Sequence, residues 1–308
     1  MSRDGRHVLV LAHTGRREAV VALTEVVHRL HAAGVNTMMT HEEAQALDPA
    51  TRELVEQCEL EGAVAGAEMV IVLGGDGTIL RAAELVRGAD TVLLGVNLGH
   101  VGFLAEAERE EIEGTVARVV HRDYRVEERM TLDVRVVVDG VVTAESWAVN
   151  EVSVEKANRE RMLELVIDVD GRPLSTFGGD GVIAATPTGS TAYAFSAGGP
   201  VVWPEVEALL VVPISAHALF ARPLVIAPTS VVGVEVLPSM DDGGVLWCDG
   251  RRRFPAPVGA RVEVRRSPAS IRLARLSTGV FTDRLVAKFG LPVHGWRGPR
   301  DEGPRVDR

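Results

Sequence analysis

A chain of 308 residues with 46% apolar content can bury a sizeable core and suits one large domain or two of medium size. A net charge of −10 argues against a general nucleic-acid binder. The longest apolar stretch, 208–227, is interrupted by Pro213, His217, Arg222 and Pro223, which excludes a membrane span there. The two cysteines, Cys58 and Cys248, are isolated and lack zinc spacing, and the apolar run near the start is too short for a signal peptide. The expectation is a soluble, cytoplasmic protein.

His7–Ala12 reads as a first strand. Val20, Leu23, Val27 and Leu30 then recur at helical spacing, and Gly34 closes that helix. A second strand is expected over 35–40, then an acidic helical stretch over 42–67 broken at Asp48-Pro49. Met69–Leu73, apolar and rich in β-branched residues, runs into Gly74-Gly75-Asp76-Gly77-Thr78, and a helix follows. A strand, glycine turn and helix place the turn at the carboxyl edge of an open α/β sheet, where such folds bind ligands. Bare N–H groups and a helix N-terminus at Gly74, Gly75, Gly77 and Thr78 suit a phosphate chain. Asp76 repels phosphate unless it meets a metal or a hydroxyl; its other reading is a helix cap. Lys156 and Lys288 are the only lysines and no GxxxxGK[ST] motif is present, so a phosphate clamp requires arginine, backbone N–H groups or a metal. Strand 91–96 leads into a second glycine-bearing loop, 97–104, and a helix is expected over 106–120.

The alternation of strand and helix over 1–125 predicts a Rossmann-like parallel sheet. From 126 to 276 the pattern changes. Asp139-Gly140, Asp170-Gly171 and Asp249-Gly250 each follow a β-rich run, the strongest short hairpin signal, so this part is expected to be antiparallel and sandwich-like. A short helix and docking segment over 277–296 and a loose polar tail over 297–308 complete the plan.

In the second part, Thr186–Pro200 (TPTGSTAYAFSAGGP) concentrates hydroxyls after a short strand, and Tyr193 offers a ring to a base. An ordinary capped helix reads equally well from composition. Asn150-Glu151 ends a strand; Asn can grip an adenine edge and Glu can accept from ribose hydroxyls, or the pair simply faces water. Asp180, in Gly178-Gly179-Asp180-Gly181, is a hydroxyl acceptor or a turn residue. Arg222 is a candidate phosphate clamp or a partner in an inter-strand ion pair.

The ordered series GGDGT, NLGHVGF, NE and GDG…TPTGSTAYAFSAGGP resembles the NAD kinase family, as do the later His217…Arg222-Pro223-Leu224 and the ending from Phe281 to Trp296. One departure is Ser215-Ala216-His217-Ala218, where many members carry Pro-His-Thr. The resemblance implies transfer of a phosphoryl group from ATP or inorganic polyphosphate, with Mg²⁺, to the adenosine-ribose 2′-hydroxyl of NAD. It implies Asp76 as the catalytic residue facing that hydroxyl, with Gly74, Gly75, Gly77 and Thr78 on phosphates. It further implies that Phe103, Asn150, Glu151, Asp180, Thr188, Thr191, Ala192, Tyr193 and Ser196 form the NAD site, in a homodimer or homotetramer. A protein-held metal is not expected with any named ligand. A lipid kinase of the diacylglycerol or sphingosine type, which shares GGDGT, and a catalytically silent dinucleotide-binding regulator are the alternatives.

Overall fold

The computed structural model describes residues 5–99, 102–158, 161–238, 243–276 and 280–293. His100, Trp296 and the 297–308 tail lie outside them.

The first sheet runs, edge to edge, Val55–Gln57, Asn36–Met39, His7–Ala12, Met69–Leu73, Val92–Asn97, Ile271–Arg275 and Arg125–Arg129, with Ala107–Glu108 pairing onto Val92–Asn97. The first five strands are parallel. Their alternate residues feed two cores. Val8, Val10, Ile71 and Leu94 pack on one face with the helices Arg17–Ala32 and Ile112–His121. Leu9, Val70, Val72 and Leu93 pack on the other with the helix Asp76–Val86. Burial on both faces explains why these strands read as unbroken apolar runs. The order reverses between His7–Ala12 and Met69–Leu73, and this switch point opens a crevice at their carboxyl ends.

The second part is two six-stranded antiparallel sheets packed face to face, as the hairpin signals predict. One runs Leu224–Ile226, Leu209–Ile214, Gly181–Ala185, Glu151–Lys156, Gly244–Cys248, Arg252–Ala256. The other runs Arg172–Gly179, Leu163–Val169, Val232–Val236, Arg261–Arg266, Leu132–Val138, Val141–Ala148. Their shared core includes Leu132, Val152, Leu165, Val182, Val211 and Leu246. Asp139, Asp170 and Asp249 each take positive φ, with a positive-φ glycine next, which is the twist a tight hairpin needs.

Three local expectations are corrected. The 42–67 stretch is not continuously helical: short helices His41–Gln45, Pro49–Arg52 and Leu60–Ala63 flank the edge strand Val55–Gln57, which pairs parallel with Asn36–Met39. Asp48 caps the second of these helices, with its carboxylate accepting from the Ala50 and Thr51 N–H groups. The expected 106–120 helix begins only at Ile112, after the strand Ala107–Glu108 and a 3₁₀ turn Arg109–Glu111. Ile271–Arg275 and Arg125–Arg129, expected in the β-rich part, join the first sheet instead, antiparallel to each other. The chain thus returns to its starting sheet and continues into the helix Val280–Phe289.

Candidate active site

At the switch point lies a cleft of about 950 Å³. Gly74, Gly75, Gly77 and Thr78 form one wall, and the loop His13–Arg16 after the first strand forms another. Three arginines line it: Arg16, Arg81 and Arg251. Arg251 comes from the second part, one residue past the Asp249-Gly250 turn, and pairs with Glu84 at 3.4 Å. Sequence reasoning missed all three: Arg16 closes the loop after the first strand, Arg251 follows a hairpin turn, and Arg81 lies one turn into the helix after the glycines. Arg222 is instead exposed on the link between Leu209–Ile214 and Leu224–Ile226, away from this cleft.

Asp76 opens its helix, yet Gly75 is the cap residue and no side chain caps the end. The Asp76 carboxylate is held by the loop after Val92–Asn97. Phe103 N–H donates to Oδ2 at 3.0 Å and Leu104 N–H donates to Oδ1 at 3.0 Å. Gly102 closes against this carboxylate so tightly that a Cβ there would overlap Oδ1. One amide on each oxygen fixes the carboxylate plane and leaves lone pairs for another donor.

Asn150 and Glu151 sit where the two parts meet, both nearly buried. The segment Thr186–Thr191 is pressed onto them: Thr186 N–H donates to the Asn150 carbonyl at 2.9 Å, and Thr186 Oγ1 donates to the Val149 carbonyl at 2.6 Å. Gly189 meets the Asn150 backbone so closely that a Cβ would overlap its carbonyl oxygen. Ser190 Oγ donates to the Val202 carbonyl, and Thr188 Oγ1 accepts from Arg129. Of the hydroxyls noted in sequence, Thr186, Thr188 and Ser190 are therefore buried and engaged within the protein, while Ser196 and the neighbouring Tyr193 are exposed and Thr191 and Ala192 partly so.

Asp249 was read only as a hairpin turn. Its carboxylate also accepts from the Val149 N–H at 3.0 Å and the Asn150 N–H at 2.7 Å, and pairs with Arg252 at 2.8 Å. It thereby fixes the backbone of the Asn-Glu pair. Burial, and then the Asp249 charge, push the Glu151 carboxyl up to about 8, while the Tyr193 N–H opposes that shift. Burial also raises Asp249, against the backbone N–H groups that favour its charged form.

Asp180 is partly exposed and paired with Lys156 at 2.5 Å. The hydrogen bond from Lys156, then one from Ser215, hold its carboxyl below the usual range. The structure brings Phe103 beside Asp76, and Asp180 lies within electrostatic reach of Tyr193, as does Glu151. Among the described residues, no three His, Cys, Asp or Glu side chains form a group able to hold a metal ion.

Residues 8–124 match the ATP-NAD kinase N-terminal domain and residues 149–276 the ATP-NAD kinase C-terminal domain. An NAD kinase of Leifsonia xyli subsp. xyli is 62% identical over 296 residues, covering 96% of this chain and 97% of that protein. NAD kinase 2 of Streptomyces coelicolor is 58% identical, covering 95% of this chain and 97% of that protein. Two solved structures share the fold at 24% identity. A yeast NADH kinase complexed with NADH has a TM-score of 0.84, covering 99% of this chain and 90% of that one. An Archaeoglobus fulgidus NAD kinase in complex with ATP has a TM-score of 0.70, covering 93% of this chain and all of that one.

Proposed function

This chain belongs to the NAD kinase family and is a phosphotransferase, and we propose that Asp76 is where its donor and acceptor meet. In this reading ATP or inorganic polyphosphate lies in the switch-point cleft, with its phosphates on the Gly74–Thr78 turn and its charge met by Arg16, Arg81 and Arg251. NAD lies across Asn150, Glu151 and the 188–196 segment, with its adenosine-ribose 2′-hydroxyl at Asp76. The observation that carries this reading is the Asp76 carboxylate, adjoining cleft-lining glycines while held by two loop amides.

A ribose hydroxyl is far less acidic than a carboxylic acid, so Asp76 acts mainly by orienting the nucleophile and accepting its proton late. Mg²⁺ suits the reading as an ion brought in on the donor phosphates, where it would neutralise their charge. Asp180, with Lys156, belongs in this account to the far half of the dinucleotide.

A cytoplasmic location belongs to the same reading and is supported by the two free cysteines. No helix among the described residues is long and apolar enough to cross a membrane. A homodimer or homotetramer is supported by exposed Leu219 and Phe220, beside His217 and the Asp180 cluster. Nothing in the site or among the relatives favours a lipid acceptor or a silent regulator. The decisive experiment is NADP formation from NAD and Mg²⁺ with either ATP or polyphosphate. NADP is expected to accumulate with at least one donor, and none with either would overturn the reading.

A further inference from the structure

The C-terminal helix Val280–Phe289 carries an arginine that packing alone does not explain. Arg284 is buried, 8% exposed, and its Nη1 donates to the Gly102 carbonyl at 3.0 Å. Its Nε has no hydrogen-bond partner; burial and the nearby Arg275 guanidinium oppose its charge, and the Glu106, Glu108 and Asp76 carboxylates offset them only in part. Keeping a guanidinium there costs desolvation and like-charge repulsion, which an apolar side chain of similar size avoids.

What the arginine touches gives the reason. The Gly102 carbonyl and the Phe103 N–H are the two ends of one peptide group, and that N–H donates to Asp76 Oδ2 at 3.0 Å. A charge-assisted bond on the carbonyl end polarises the amide and strengthens donation at the other end. It also fixes the orientation of the peptide plane. A flip there would turn the carbonyl oxygen toward the Asp76 carboxylate, and a glycine is the residue that permits such flips. The same helix holds the other side of the loop, with the Phe281 and Phe289 rings 5.8 and 6.0 Å from that of Phe103.

We propose that Arg284 is a positioning residue for Asp76, acting from the C-terminal helix through the peptide group between Gly102 and Phe103, with its charge near the Asp76 carboxylate. The proposal rests on the catalytic reading of Asp76 given above. It makes the alignment of the carboxylate depend on a helix about 200 residues further along the chain, added only after the antiparallel sheets are complete.

Steady-state kinetics of Arg284→Ala, alone and combined with Asp76→Asn, test it. Arg284→Ala is expected to lower kcat by about 10- to 100-fold with the KM for NAD within about twofold, because misplacement near the reacting atoms is costly while binding is not. Millimolar guanidinium should restore part of the loss. In the Asp76→Asn background the further loss should shrink to about twofold or less, since the group it positions is gone. Hydrogen exchange at the Phe103 and Leu104 amides should accelerate in Arg284→Ala. Arg284→Lys, which retains the charge and one donor, should fold normally and fall between the two in kcat, which keeps the test usable if the alanine variant is unstable. An unchanged kcat, or a loss that is fully additive with Asp76→Asn, overturns the proposal. If the unmodified protein makes no NADP, the catalytic reading fails by itself, and amide exchange still reports whether Arg284 holds the loop.

Discussion

The Gly74–Thr78 turn and the Thr186–Thr191 segment look alike in sequence, since both place small residues after a short buried strand. They use them in opposite ways. At the first, the glycines line an open cleft and expose backbone to it. At the second, the glycine and hydroxyls are turned inward: Gly189 against the Asn150 backbone, and Thr186, Thr188 and Ser190 onto protein partners. In the proposed reading the first is a surface for a ligand, whereas the second braces the Asn150-Glu151 pair from behind. A run of hydroxyls signals hydrogen bonding; whether the partner is ligand or protein depends on burial.

Substitutions on either side should separate these roles. The largest effect is expected at the turn. Asp76→Asn keeps the fold and NAD affinity, because Asn can still meet one of the two loop amides, yet loses at least about 10²-fold in kcat. Calorimetric NAD binding beside turnover checks this, and near-normal turnover removes Asp76 from the chemistry. At the brace, Gly189→Ala forces a Cβ into backbone that cannot move without parting Thr186 from Asn150. A loss of about 2 kcal/mol in stability and a roughly tenfold rise in the KM for NAD are expected together. Thermal unfolding with unchanged Tm would show that the brace yields easily. Asn150→Ala is milder, because the backbone bonds to Asp249 and Thr186 remain. The KM for NAD should rise about fivefold with Tm and kcat nearly constant, and a fall in Tm comparable to that of Gly189→Ala would assign Asn150 to the brace as well.

The fold was legible wherever one local signal decided it. Asp-Gly pairs at 139, 170 and 249 announce hairpins because few other residues accept that backbone twist. Apolar runs such as Met69–Leu73 announce strands buried on both faces. Legibility fails where a distant partner decides. Val55–Gln57 is a strand only because Asn36–Met39 offers it an edge. Ile271–Arg275 joins the first sheet because Val92–Asn97 and Arg125–Arg129 leave it a slot, which hairpin spacing does not report. The same limit holds in the site. The glycine turn was visible, but Asp249 beneath the Asn-Glu pair, Arg251 in the cleft and Arg284 behind Gly102 act across 99 to 182 residues of sequence.

The smallest expected effect concerns the buried carboxyl that the brace holds. Glu151 is 7% exposed, and its Oε2 has no hydrogen-bond partner in the protein. Burial raises it from an ordinary value of 4.5 to about 8. Between those values the folded protein keeps a proton that the unfolded chain has released. Stability on account of Glu151 is therefore full below about pH 4.5, falls as pH rises, and levels off above about 8. Glu151→Gln is neutral in both states and removes that slope. The two proteins should unfold at similar temperatures at acid pH, and the Gln variant should gain on the unmodified protein toward pH 9 by on the order of 5 °C. Parallel Tm profiles for Glu151→Gln and the unmodified protein would mean that Glu151 is charged when folded. The contrast between an open turn and a proton-holding brace would then rest on hydrogen bonding alone.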